Sequence, residues 1–202
     1  MKRKGFTMKG IWTMILLAIL LSQASAQHLA LKENLPYDAL RIPNLGVELA
    51  LCRNWTVDLW GAYNPFQESE TRKWKIWTIQ PELRYWLCKN FSGTFVGIHS
   101  GAGQYNMGGF GTTLDLGTLG TLDLDGLKEH RVQGAFWDAG LSVGQHWILS
   151  PHWGLEATLG FGYGHYQYKR FRCLHCGEQT TSGTKNYLGP TRAGISLVYL
   201  IH

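Results

Sequence analysis

From residue 29 onward the chain alternates bulky apolar side chains with glycine or polar ones. Leu155, Ala157, Leu159, Phe161 and Tyr163 share one parity, and Glu156, Thr158, Gly160, Gly162 and Gly164 share the other. Residues 130–149 repeat the plan, with Trp137, Ala139, Leu141, Val143 and Trp147 set against Asp138, Gly140, Ser142, Gly144 and His146. Residues 44–51 set Leu45, Val47, Leu49 and Leu51 against Gly46, Glu48 and Ala50. Successive side chains of a strand point to opposite faces, so each stretch reads as a strand with one bulky face and one small or polar face. The pattern predicts eight strands, at roughly 29–40, 44–51, 55–65, 73–87, 91–107, 130–149, 153–170 and 186–201. Several are far longer than the usual strand of about five or six residues.

The connections fall into two kinds. "ALCRNWTVDL" (50–59), "WLCKNFSGTF" (86–95) and "ILSPHWGLEA" (148–157) each end one strand, turn on two or three polar residues and open the next strand on an aromatic. These are tight hairpins. Between them lie longer polar stretches at 67–72, 108–129 and 172–184. Long strands without edge protection predict a closed up-and-down barrel. An even strand number puts both termini and the short turns at one end, with the long loops at the other. That asymmetry is the habit of bacterial outer-membrane barrels. The expected fold is therefore an all-β, eight-stranded antiparallel transmembrane barrel.

The faces separate a membrane barrel from a soluble one. A soluble barrel would turn the bulky set inward and leave runs of glycine facing water. A membrane barrel turns bulk toward lipid and uses glycine to clear room in a narrow lumen. Trp55, Tyr85, Phe91, Trp147, Trp153 and Tyr199 near the short turns, and Tyr37, Tyr63, Tyr163 and Tyr187 toward the long loops, are placed as interfacial girdles. The inward set is then Lys32, Asn34, Glu48, Asp58, Glu82, Arg84, His99, Asp138, Ser142, Glu156 and Arg192.

Charge changes meaning once the N-terminus is read. Lys2, Arg3, Lys4 and Lys9 precede an apolar run from Ile11 to Leu21 and the small-x-small site Ala24-Ser25-Ala26. This is a secretory signal at 1–26, leaving one domain at 27–202. Removing its four basic residues lowers the formal charge from +5 to +1. The basic balance therefore gives no reason to expect nucleic acid.

Chemistry has few footholds. Charges buried in a dry eight-stranded lumen must pair, so Lys32, Glu48, Asp58, Glu82, Arg84, His99, Asp138, Glu156 and Arg192 are expected to form a structural ion-pair network. A proton relay or narrow pore is the sharper reading, but an eight-stranded barrel is normally filled by its own side chains. Catalysis lacks a dyad. His99 and Ser100 face opposite ways, His165 lies on the lipid-facing parity without a serine two residues away, and His146 sits near a short turn. No catalytic residue, cofactor or metal is expected. Asp115, Asp123 and Asp125 do not match a calcium-loop spacing. Cys52 and Cys88, also on the inward parity, are separated by one strand and expected to be unbridged. "FRCLHCGE" (171–178) puts Cys173 and Cys176 in the last long loop. A loop-pinning disulfide is expected there, with metal binding helped by His175 the lesser alternative.

"LKENLPYDAL", "WTVDLWGAYNP", "KWKIWTIQPELRYW", "GTFVGIHSGAGQYN", "CLHCG" and "KNYLGPTRAGISLVY" together resemble a family of Bacteroidetes envelope proteins known as domain of unknown function 3575. The resemblance spans about residues 30–201. It implies a small outer-membrane barrel, often linked to fimbrial or surface-assembly genes, and brings no catalytic residues. The resulting expectation is a non-catalytic anchoring, adhesion or surface-assembly protein of a Gram-negative outer membrane, monomeric by default. Its partners would be outer-membrane lipid, lipopolysaccharide and surface or fimbrial assembly proteins, met through the loops. A lipid-modifying enzyme and a soluble ligand-binding barrel are the alternatives.

Overall fold

The computed structural model describes residues 29–65, 73–110, 113–115, 121–123, 127–172 and 179–201. The expected signal segment, and Cys173, His175 and Cys176, lie outside them. The strands are β1 (Leu29–Asn34), β2 (Asn44–Cys52), β3 (Trp55–Asn64), β4 (Lys73–Trp86), β5 (Gly93–Phe110), β8 (Leu127–Ile148), β9 (Trp153–Phe171) and β10 (Gln179–Ile201). These eight close into one antiparallel barrel in the order β1-β10-β9-β8-β5-β4-β3-β2. Two short strands, β6 (Thr113–Asp115) and β7 (Thr121–Asp123), pair separately within the β5–β8 connection. Helix is confined, among the described residues, to α1 (Leu35–Ala39).

The first strand ends earlier than the expected 29–40. Pro36 has no N–H for a ladder and suits the first turn of a helix, so β1 stops at Asn34 and α1 follows. Arg41 then takes a left-handed φ of 57°, and Ile42 tucks in almost fully buried. Asn44 fastens this corner. Its side chain accepts from the Asn34 N–H at 2.7 Å and from Trp60 Nε1 at 3.2 Å, and donates to Asp38 Oδ1 at 2.8 Å. Tyr37 therefore packs edge-on against Trp60, at 4.7 Å between ring centres, and does not stand in an outer girdle.

Two more girdle positions turn inward. Phe91, with φ 59°, folds under the barrel and is buried with Trp86, Phe95, Ala30, Val198 and Leu200 as an apolar plug at the short-turn end. Tyr187 is moved by a register slip between Pro190 and Arg192. One residue of slip carries everything beyond it to the other face. Tyr187 thus pairs with Gly164 and meets Tyr166 at 6.3 Å, while Leu188 points out, 82% exposed. Cys52 and Cys88 are free thiols, as expected, but both are exposed and not turned inward: Cys52 ends β2 beyond a register shift after Ala50, and Cys88 lies in a turn. The last strand also begins at Gln179, ahead of the expected 186.

Elsewhere the wall is inside-out relative to a soluble protein. Leu59, Ile79, Ile98, Trp137, Leu141, Val143, Leu159 and Phe161 are exposed, whereas Lys32, Glu48, Asp58, Glu82, Arg84 and Glu156 are buried. Glycine makes room for the charges. A Cβ on Gly97 would lie 2.6 Å from Ser142 Oγ and 2.7 Å from Glu82 Oε1, and one on Gly160 would lie 2.7 Å from the His99 ring. Gly61, by contrast, has only the Thr78 carbonyl nearby, at 3.3 Å. Gly97→Val is expected to cost about 1–3 kcal/mol by overpacking, and Gly61→Ala well under half of that. Chemical-denaturation midpoints followed by tryptophan fluorescence check the ordering.

Candidate functional site

The middle of the barrel is filled by one connected set of charges. Arg84 projects from β4 on the inner parity, two residues from Glu82 and from Trp86. Its Nε reaches Glu82 Oε2 at 2.5 Å. Its Nη1 reaches Glu48 at 2.9 Å and Glu156 at 2.9 Å, and its Nη2 reaches Asp58 at 3.2 Å. A planar guanidinium offers donors in several in-plane directions at once, which is why one arginine can serve four carboxylates. Below it the guanidinium lies over the Phe95 ring, 4.3 Å from its centre, so the network rests on the apolar plug.

Two further cations share the same anions. Lys32 pairs with Glu48, reaches Glu156 at 2.8 Å, and stands 3.8 Å from Asp58. Arg192 reaches Asp58 at 2.8 Å and Glu82 at 3.4 Å. Hydroxyls occupy remaining lone pairs: Thr56 donates to Glu48 and Ser142 to Glu82. Trp86 Nε1 donates to Thr56 at 2.9 Å, tying plug and network together. Lys32, Arg84 and Arg192 face Glu48, Asp58, Glu82 and Glu156, so the set carries one carboxylate in excess. His146 lies beside this set, with Nδ1 3.7 Å from Glu156.

Not every inward position joins. His99 is buried, but its Nε2 bonds Thr191 Oγ1 at 2.8 Å and among the described residues it makes no ion pair. Asp138 is buried beside Gln80 and within the field of Arg192, without an ion pair among the described residues. Asn34 serves the α1 corner through its backbone. The parity rule also contained Thr56, Gln80 and His146, each two residues from a position already named or on the same inner face, and reading polar residues alongside charged ones would have found them. Thr191 lies at the register slip, where no sequence signal placed it.

A small cavity of about 110 Å³ separates this network from a second space toward the long loops. That upper chamber, about 790 Å³, is ringed by Asn64, Ile76, Tyr105, Gly134, Tyr168 and Gly183. These six are direct register partners from β3 through β4, β5, β8 and β9 to β10, so they form one inner row. The lumen is thus sealed at the short-turn end, salt-bridged in the middle and open-volumed above. Among the described residues no group of His, Cys, Asp and Glu is arranged to hold a metal ion. The candidate loop site at Cys173 and Cys176, and Asp125, fall outside the described residues.

A family model described as "Protein of unknown function (DUF3575)" matches residues 11–201. The chain belongs to the DUF3575 family. No curated protein matches it. In this DUF3575 chain the residues with the densest interactions are therefore buried charges, and what they do chemically is hold one another.

Removing the hub should cost far more than removing a peripheral partner. Arg84→Met leaves Glu48, Asp58, Glu82 and Glu156 facing each other, and loss of a buried partner is worth about 3–5 kcal/mol. Arg84→Lys is expected to recover only part of this, because one ammonium lacks the fork geometry. Ser142→Ala, which removes a single hydroxyl, is expected to cost about 1 kcal/mol. Urea midpoints of the folded protein give the comparison.

Proposed function

We propose that this DUF3575 protein is a bacterial outer-membrane barrel with a self-filled lower lumen, acting without catalysis as an anchoring, adhesion or surface-assembly component. The observation that carries the reading is the inversion of the wall. An exposed collar containing Leu141 at 66% and Ile98 at 63% surrounds a core of paired charges. Contiguous apolar surface on that scale is foreign to soluble monomers and matches what lipid requires. Exposed aromatics such as Trp55 beside Tyr85 and Trp153 beside Tyr199, with ring centres 5.1 and 4.9 Å apart, suit an interfacial girdle at the short-turn end.

A non-conducting role follows from the same packing. Trp86, Phe91 and Phe95 close one end, and Arg84 reaches across the lumen above them to Glu48 and Glu156. A soluble ligand carrier would need an apolar interior, and here the interior is ionic. A lipid-modifying enzyme would need a histidine beside a nucleophile at the rim. His165 instead bonds Asn186 at 2.8 Å and stacks on Trp137 on the outer face. The long loops are then the contact surfaces, carried by a rigid wall.

Cell fractionation tests this directly. The protein is expected to stay with outer membranes through alkaline carbonate and to need detergent for release. Planar-bilayer recordings of the purified barrel are expected to show no discrete conductance. Release by a salt wash would sink the membrane reading, and steady single-channel currents would sink the sealed lumen.

A further inference from the structure

The barrel is not closed to the same height all the way round. β1 pairs with β10 only from Asn34↔Ser196 to Leu29↔Ile201, and the chain then continues as α1. Pro36 of α1 lines an outer groove with Ala193, Gly194 and Ile195. Above these, β10 continues to Gln179 with β9 on one side and, among the described residues, no strand on the other. Register shifts at Gln179/Thr181 and Pro190/Arg192 bracket an uninterrupted stretch from Thr181 to Gly189.

The direction of its backbone groups follows from two hydrogen bonds at the short-turn end. The Leu200 N–H donates to the His152 carbonyl at 2.8 Å, and the Leu149 N–H to the Trp153 carbonyl at 2.9 Å. An antiparallel strand turns both groups of alternate residues to the same neighbour, so even residues of β9 bond β10 and odd ones bond β8. Above the Pro190–Arg192 slip the even residues Gly164, Tyr166, Tyr168 and Arg170 stand opposite Tyr187, Lys185, Gly183 and Thr181. Ser182, Thr184, Asn186 and Leu188 are left directing both N–H and C=O away from β9, and all four are exposed. The next position of that set is Pro190, which has no N–H and ends the row.

Beside this edge lies the upper chamber, about 790 Å³, flanked by Ser182, Gly183 and Thr184 of β10 and by Tyr63 and Asn64 of β3. A Cβ on Gly183 would meet the Tyr168 ring at 3.1 Å, so that ring lies across the wall. The Tyr105 hydroxyl donates to the Gln167 carbonyl at 3.2 Å, which leaves its ring as an apolar face.

We propose that the Ser182–Leu188 edge is a strand-addition site for an extended segment of another protein, whose alternate bulky apolar side chains enter the upper chamber. Main-chain pairing supplies the affinity, and the chamber selects the side chains. Strand edges are usually blunted by bulges or charge, but here the register shifts lie outside the row and Lys185 turns its backbone toward β9. A second copy does not fit. Two copies of one edge pair antiparallel about a two-fold axis across the strands, which would invert one barrel in the membrane relative to the other. Only that exclusion rests on the membrane reading, and peptide binding by the folded chain is measured without it.

The test is fluorescence anisotropy of labelled peptides with the full folded chain. The first probe is a peptide of about nine residues, alternating threonine with valine and phenylalanine, which covers the row at ~3.3 Å per residue. Residues directly opposite in a sheet share a face, so its threonine amides meet β10 when its bulky side chains enter the chamber. The second probe is N-methylated on those amides, and the third is threonine throughout. Saturable binding of the first is expected, with both others at least tenfold weaker and slowed deuterium uptake over residues 181–189. Thr184→Pro removes an N–H that β9 does not use, and should weaken binding at least tenfold while the urea midpoint holds. Should that variant fail to fold, the N-methylated probe decides. No saturable binding at millimolar peptide, equal binding of the N-methylated probe, or unchanged uptake over 181–189 overturns the site. Equal binding of the all-threonine probe overturns the apolar partner. A dimer of the free protein that Thr184→Pro dissociates overturns it in favour of a second copy.

Discussion

Arg84 is the group on which the interior depends. Its four carboxylate partners come from β2, β3, β9 and its own strand, and the same anions are shared with Lys32 on β1 and Arg192 on β10. Burying any of these charges alone would cost several kcal/mol, so each is tolerable only when the others are in place. The cluster therefore exists only in the closed barrel. It also supports closure at the weakest seam, where β1 contributes just six residues, Leu29 to Asn34, paired with Ile201 to Ser196.

The constraint runs outward into the wall. Charged side chains crossing the lumen need clearance on the facing strands, and Gly97, Gly101 and Gly160 supply it beside Ser142, Asp138 and His99. Since strand side chains alternate, every inward glycine or charge places its neighbours outward, as Val96 and Ile98 stand beside Gly97, Leu159 and Phe161 beside Gly160, and Val57 and Leu59 beside Asp58. An ionic lumen and an apolar collar are thus two sides of one alternation. The apolar plug and the ion cluster seal one end, leaving the other as an open-volumed chamber on top of a rigid base.

How much of this was legible in the sequence can be read from particular residues. Glu48, Asp58, Glu82, Arg84 and Glu156 lie on the inner face because strict alternation holds through β2, β3, β4 and β9. Tyr187 was misassigned because alternation fails at the Pro190–Arg192 slip, and a slip is invisible to a parity count. Tyr37 was misassigned because Pro36 turned an expected strand into a helix. Phe91 and Cys88 sit in a turn, where a period of two has no meaning, and Cys52 ends β2 beyond a register shift after Ala50. Asn44, the pin of the α1 corner, looked like an ordinary strand opener.

The sequence by itself determined the local quantities: strand period, the bulk of each face, the turns, and the need for any lumen charge to find a partner. These follow from the geometry of one extended strand, which neighbouring residues specify. Which cation meets which anion was decided by the tertiary structure alone. Lys32 and Glu156 stand 124 positions apart, and they meet because eight registers close into a ring. A register shared around a ring is a property of all its strands together, so no single stretch of sequence contains it.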